Sequence, residues 1–121
     1  DIEDLRDKEI CKVITKMDKN VNWVWENSLN ALTNIDEADF VFIDGLHEFD
    51  HNVKEFKIIE TFIKKGGIVA IHDSEHIPDV WKFVQWVKRF DNFEVINLST
   101  TDIHYHNYSR GLALIRCTNG K

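Results

Sequence analysis

The sequence predicts an α/β fold in which helices cover a mostly parallel sheet. Apolar runs at residues 40–43 and 68–71 have the length and composition of strands buried on both faces of such a sheet. Gly66-Gly67 follows the segment between them, where a helix commonly ends. This order predicts a right-handed βαβ unit with strands at 39–44 and 68–72 and a helix at 53–64. The helix carries an apolar stripe at helical spacing: Val53, Phe56, Ile59 and Ile63.

The remaining segments extend this pattern to a three-layer α/β/α sandwich. Apolar periodicity predicts a helix from Ile2 to about Lys19, and Ser28 is a candidate N-cap for a short helix. Pro78 suits the first turn of another helix, whose predicted stripe is Val80, Trp81, Val84, Val87 and Phe90. Further strands are predicted at residues 21–25, 93–98 and 111–116, with a polar loop at 99–110.

Composition narrows the class of protein. With 121 residues, the chain is predicted to form a single domain, residues 1–121. A formal charge of −6 without a basic stripe argues against nucleic-acid binding, and no segment is long and apolar enough to span a membrane. Cys11 and Cys117 are interpreted as reduced thiols, which predicts a cytoplasmic protein, and a bridge between them is the alternative.

Two acids follow the strands of the βαβ unit directly. Asp44 ends the first strand and Asp73 ends the second. Ligands of open α/β sheets bind at the carboxyl ends of strands, so the two carboxylates are expected to face one cleft. Such a pair suits a hard cation such as Mg²⁺. The alternative is that each acid only caps the helix that follows it.

These segments carry a resemblance to a known family. Residues 42–47, which include Asp44-Gly45-Leu46-His47, and residues 65–73, which end in His72-Asp73, resemble class I S-adenosylmethionine-dependent methyltransferases. They are most similar to small-molecule O-methyltransferases with an Ile-Asp-Gly-x-His loop. The resemblance implies a Rossmann-like methyltransferase fold with one antiparallel strand near the C-terminus. It also implies methyl transfer from S-adenosylmethionine to a hydroxyl of a small molecule, with possible assistance from a metal.

The resemblance assigns roles to individual residues. His47 stands where metal-dependent members have a general base, and Asp44 and Asp73 stand where they bind the metal. His72, beside Asp73, is a further candidate ligand, although packing is an equal alternative for it. Cofactor-binding positions are Asp44 and three residues nearer the N-terminus. These three are Asp1 at the ribose position and Asn27 and Ser28 at the adenine position.

Each of these residues also has a purely structural interpretation. Asp1 is otherwise a solvated terminal acid, Ser28 a plain helix cap, and His47 a loop histidine bonded to backbone. A second motif, His47-Glu48-x-x-His51, matches that of zinc hydrolases. That chemistry needs both histidines on one face of an established helix, and here the motif follows a strand and a glycine.

The family opens with a glycine-rich loop that this sequence lacks, so we interpret the chain as an N-terminally truncated methyltransferase-like domain. A non-catalytic fragment is therefore the alternative to an active enzyme. The strand at 39–44 is expected to lie at a sheet edge, or to pair with the strand at 21–25. An open edge favours pairing with another chain, so we expect self-association and little cofactor binding by this chain alone.

Overall fold

The structure is a computed structural model that describes residues 9–10, 12–13, 16, 20–99, 101–102 and 108–119. The chain forms two compact units, residues 1–34 and residues 35–121, and each is treated by itself below. No helix in the described part of the chain has the length and apolar character needed to cross a membrane.

The first unit contains helical residues where the sequence predicts a helix, at positions 9–10, 12–13 and 16. Helix α1 follows at Ser28–Leu32. Its N-cap is Asn27, whose Oδ1 accepts a hydrogen bond from the Leu29 amide at 2.9 Å, so the predicted cap at Ser28 is wrong by one residue. Asparagine caps a helix as well as serine does, and the sequence offers both in succession.

The predicted strand at residues 21–25 is also wrong. These residues form no ladder with any described strand. The rings of Trp23 and Trp25 stack on each other at 6.4 Å between centroids. Alternation put the two indoles on one side, as predicted, but a strand requires a hydrogen-bonded neighbour as well as alternation.

The second unit holds the sheet and the two longer helices. Its elements are β1 (Ala38–Ile43), α2 (Phe49–Ile59), β2 (Ile63–His72), α3 (Pro78–Val87), β3 (Phe93–Leu98), β4 (Thr101–Asp102), β5 (Tyr108–Ser109) and β6 (Leu112–Cys117). The predicted polar loop at residues 99–110 is thus interrupted by β4 and β5, which pair antiparallel as a separate ribbon.

The main sheet has the order β1-β2-β6-β3. β1 pairs in parallel with β2, and β6 lies antiparallel between β2 and β3. Three strands therefore run in one direction and the strand nearest the C-terminus runs against them, which confirms the predicted sheet. Among the described strands β1 has only β2 as a neighbour, so it forms an edge. Self-association through that edge stays a prediction.

The end of α2 and the start of β2 differ from the prediction. α2 ends at Ile59, and Ile63 already belongs to β2, where it pairs with Ala38. Phe40 pairs with Ile68, so between these two pairs four residues of β2 oppose one residue of β1 and the extra residues bulge out. Gly66 supplies a left-handed φ of +82° within this bulge. The double glycine thus shapes a bulge in a strand rather than the end of a helix.

The core lies between the sheet and both longer helices. The Phe56 ring of α2 contacts Phe83 at 5.5 Å and Trp86 at 6.2 Å, both on α3. The same ring contacts Phe93 of β3 at 4.9 Å, so α2 and α3 pack on one face of the sheet. Of the predicted α3 stripe, Val80, Val84 and Val87 are buried. Trp81 is exposed and Phe90 lies beyond the helix end, whereas Phe83, which the sequence places beside the stripe, is buried.

Replacing the central ring should show how much the fold depends on this contact. Phe56 is 1% exposed, and Phe56→Ala is expected to lower the free energy of unfolding by about 3–5 kcal/mol through a cavity. The control is Phe40→Ala, since Phe40 on the opposite face is 57% exposed and should cost no more than about 0.5 kcal/mol. Urea unfolding measures both, and equal losses would contradict this description of the core.

Candidate functional site

The site lies where β1 and β2 end. Ile43 and Ile71 are register partners in these parallel strands, so Asp44 and Asp73 emerge at the same edge of the sheet. One ligand atom from each of Asp44, His47 and Asp73 lies within 4.8 Å of the others. The structure therefore brings together the two acids expected in one cleft and His47, the candidate general base.

A second histidine joins this group. His72 Nδ1 lies 3.5 Å from Asp44 Oδ1 and 3.3 Å from Asp73 Oδ2. His47 Nε2 approaches the same two oxygens, at 3.8 Å from Asp44 and 3.5 Å from Asp73. We call these four residues the acid–histidine cluster. Its two carboxylates are each approached by a ring nitrogen from the loop after β1 and by one from the end of β2.

The cluster is closed on one side and open on the other. The side chain of Asp73 is 10% exposed and that of Asp44 is 51% exposed. Asp73 Oδ1 and His47 Nε2 are buried and find no hydrogen-bond partner among the described residues. Buried polar atoms are normally bonded to protein or to ordered water, so these two atoms can accept a further group or a water as a partner.

The backbone at Asp73 is unusual. Its φ is +65°, the one positive value among the described residues other than glycine. The Asp73 amide donates to the Gly111 carbonyl at 3.0 Å, at the entry to β6. The neighbouring Ser74 is buried, and its hydroxyl donates to Asn97 Oδ1 at 2.6 Å. Ser74 is therefore bonded to β3, and its hydroxyl is engaged there rather than with the cluster.

Sequence reasoning missed Asn97 and Gly111. The available signals were a polar residue inside the otherwise apolar part of β3 and a glycine directly before β6. Neither signal identifies its partner, because the contacts join segments that are distant in the chain.

Comparison with known proteins adds to this geometry. Residues 3–74 match the model of a family described as a methyltransferase domain. This match covers more than half of the chain, and it includes Asp44, His47, His72 and Asp73.

The chain belongs to this methyltransferase-domain family.

Solved structures agree with the methyltransferase domain in fold. A Klebsiella pneumoniae protein provisionally assigned as an O-methyltransferase superposes with a TM-score of 0.74 at 14% identity, over 96% of this chain and 59% of that one. A Staphylococcus aureus protein provisionally assigned as a caffeoyl-CoA O-methyltransferase gives a TM-score of 0.69 at 16% identity, over 94% and 61%. The chain thus spans about three-fifths of the length of these neighbours.

A third structure contains a bound ligand. An O-methyltransferase from Bacillus cereus, solved in complex with SAH, superposes with a TM-score of 0.60 at 14% identity over 75% of this chain and 46% of that one. At identities this low, the superpositions demonstrate a shared fold and nothing more specific. A search of curated proteins found no significant match to this chain.

Three of the four predicted cofactor residues, Asp1, Asn27 and Ser28, belong to the first unit, and Asp44 belongs to the second. Asp1 lies outside the described residues. Asn27 is the exposed cap of α1, and Ser28 is the first residue of that helix. Their predicted contacts with a cofactor stay predictions.

The zinc-hydrolase motif lacks the geometry that its chemistry requires. α2 begins at Phe49, so Glu48 is the cap and His47 lies in the loop before the helix. His51 Nε2 lies 3.2 Å from Glu55 Oε1 on the helix, whereas His47 faces Asp44 and Asp73. The two histidines therefore serve different environments, and this alternative is not supported.

A substitution at His51 tests that separation. His51 and Glu55 are both largely buried, so His51→Ala is expected to lower the free energy of unfolding by about 1–3 kcal/mol as Glu55 loses a partner. Urea unfolding provides the measurement. An unchanged free energy of unfolding would contradict a stabilising role for the His51–Glu55 pair.

Proposed function

We propose that this chain carries the acceptor side of an S-adenosylmethionine-dependent O-methyltransferase acting on a hydroxyl of a small molecule. The observation that carries the proposal is the acid–histidine cluster at the carboxyl edge of β1 and β2 in a methyltransferase-domain chain. The neighbour that holds SAH supports the choice of cofactor.

We further propose that the cluster holds a divalent cation. Donors bound to Mg²⁺ at ~2.0–2.1 Å lie at most about 4.2 Å apart. His72 Nδ1 is within this limit of both acids, at 3.5 Å from Asp44 Oδ1 and 3.3 Å from Asp73 Oδ2. The unpartnered Asp73 Oδ1 suits the same interpretation. Carboxylates suit Mg²⁺ and Mn²⁺ and imidazole suits transition metals, and Mn²⁺ is the transition metal that carboxylates suit. Mn²⁺ is therefore the appropriate probe.

Asp44, Asp73 and His72 are the proposed cation ligands. His72 Nδ1 lies closer to each carboxylate than His47 Nε2 does, and it stands on the end of β2 rather than in a loop. A bound cation would lower the pKa of an acceptor hydroxyl and orient it.

His47 is the proposed general base. Histidine gains and loses protons near neutral pH, which suits it to accept the hydroxyl proton. In the balanced reaction the acceptor oxygen forms a bond to the methyl carbon, the bond from that carbon to sulfur breaks, and the hydroxyl proton moves to His47 Nε2. Asp73 and Asp44 stabilise the positive charge that the ring then carries. The products are a methyl ether, S-adenosylhomocysteine and a protonated base.

Cofactor contacts are proposed for Asp1, Asn27, Ser28 and Asp44. Asn27 Oδ1 already accepts from the Leu29 amide, so any contact from Asn27 to the adenine would come from its other side-chain atom.

Removing a ligand should separate acceptor chemistry from cofactor binding. In an active enzyme that contains this chain, Asp44→Asn is expected to lower turnover at least as much as loss of an outer-shell partner does, about 10–100-fold, with a smaller change in S-adenosylmethionine affinity. Steady-state kinetics and calorimetry measure the two quantities.

The matched control is Asp39→Asn on the same strand. Asp39 is exposed and pairs with Lys64 at 3.5 Å, away from the cluster, so its turnover should match wild type. Full activity of Asp44→Asn in the presence of a chelator would rule out the metal-assisted mechanism.

The two histidines are expected to give different phenotypes. His47→Gln should lower turnover by about 10²–10⁴-fold, as for loss of a general base, and should leave Mn²⁺ affinity near wild type. His72→Gln should weaken Mn²⁺ binding, which electron paramagnetic resonance measures directly. If His47→Gln instead weakens Mn²⁺ binding and His72→Gln does not, the two roles are exchanged and His47 is the ligand.

A further inference from the structure

We propose that Gly111 and Asn97 are positioning residues that hold Asp73 in its functional conformation, and that Ser74 anchors the turn rather than binding the cation. We call residues 73–76 the Asp73 turn. The inference rests on the proposed function only in assigning a ligand role to Asp73.

The conformation of Asp73 requires external support. A residue other than glycine at a φ of +65° is strained, and such strain persists only where the surroundings hold it. Aspartate tolerates this region better than most residues, which lowers the strain without removing it. The side chain that the strained backbone directs is the most buried acid of the cluster.

Backbone hydrogen bonds attach the whole turn to the entry of β6. The Asp73 amide donates to Gly111 O at 3.0 Å. The amides of Glu75 and His76 both donate to Arg110 O, at 2.9 and 3.1 Å. The carbonyls of Arg110 and Gly111, which directly precede β6, therefore accept hydrogen bonds from three of the four residues of the turn.

Side chains attach the same turn to β3. Ser74 Oγ donates to Asn97 Oδ1 at 2.6 Å, and Asn97 Nδ2 donates to Glu75 Oε1 at 2.6 Å. Ser99 Oγ donates to the same Glu75 oxygen at 2.7 Å. Asn97 thus uses both ends of its amide on successive residues of the turn. An amide that is bound at both ends fixes the relative placement of Ser74 and Glu75 more firmly than a single bond would.

Gly111 is required by both conformation and space. Its φ is +80°, and a Cβ at this position would lie 2.5 Å from the Glu75 amide nitrogen and 2.5 Å from Ser74 Oγ. The first of these atoms is backbone, so a methyl group cannot be accommodated without moving the turn. Asp73 lies at the start of that turn and would move with it.

Gly66 provides a matched control. Its φ is +82°, almost equal to that of Gly111, but a Cβ there would have nothing within 4 Å. Gly66→Ala and Gly111→Ala therefore carry the same backbone penalty, and only Gly111→Ala adds a collision with the Asp73 turn. Gly66 lies in the bulge of β2, at the end of that strand away from Asp73.

The experiment measures Mn²⁺ affinity by electron paramagnetic resonance and amide hydrogen exchange by NMR in the 121-residue chain and both variants. Gly111→Ala is expected to weaken Mn²⁺ binding by about 10–100-fold, the usual effect of losing a contact that orients a metal ligand. It should also accelerate exchange at the amides of Asp73, Glu75 and His76. Gly66→Ala should change neither quantity.

Equal Mn²⁺ affinity and equal exchange at the turn in the two variants would overturn the proposal. If the wild-type chain takes up no Mn²⁺, the cation part of the proposed function is refuted, and exchange alone decides this inference. Faster exchange confined to the Asp73 turn in Gly111→Ala would still support it, and unchanged exchange would refute it.

A second variant covers the case in which Gly111→Ala fails to fold. Asn97→Ala removes the bonds to Ser74 and Glu75 without adding atoms, and Asn97 is exposed enough for the fold to survive. It is expected to accelerate exchange at the turn and to weaken Mn²⁺ binding. Wild-type values for both would overturn the role of Asn97. Asn97→Gln should show the same two changes, because its longer side chain cannot keep the hydrogen bonds to Ser74 and Glu75 in place. Wild-type exchange and wild-type Mn²⁺ affinity in Asn97→Gln would contradict the proposal.

Discussion

The parallel pairing of β1 with β2 is the constraint on which the site depends. The register that places Ile43 beside Ile71 brings Asp44 and Asp73 out at one edge, although 28 positions of sequence separate them. A slip of one residue would turn the alternating side chains of β1 to the opposite face and separate the acids from each other. The core fixes this register, because Ile43, Val69 and Ile71 are all buried.

The antiparallel strand contributes more than a sheet partner. β6 lies between β2 and β3, so its entry at Arg110 and Gly111 lies beside the turn that leaves β2. Hydrogen bonds from that turn to β6 and β3 satisfy polar groups that are partly buried, and such networks stabilise a single arrangement when every member is bonded. The strained φ of Asp73 is thus maintained by contacts with two other strands. The arrangement of the site therefore depends on residues that are far from the acids in sequence.

Much of the fold could be predicted from local patterns. The apolar runs marked β1, β2, β3 and β6 to within a few residues, apart from the start of β2, and Pro78 marked the start of α3. The misassigned segments depended on tertiary contacts. Ile63 fits the helical spacing of α2 but pairs with Ala38 in β2, and the alternating residues 21–25 found no described strand to join. The acids and His47 were predictable from their place after buried strands. Asn97 and Gly111 were not, since their roles follow from distances that only the folded chain defines.

The central claim is that Asp44, Asp73 and His72 surround one cation beside His47. Anomalous diffraction at the manganese edge, from crystals of this chain soaked in Mn²⁺, tests that claim most directly. The account predicts a single strong peak between the Asp44 and Asp73 carboxylates. Absence of a peak there, or a strong peak near His51 and Glu55 instead, would contradict it.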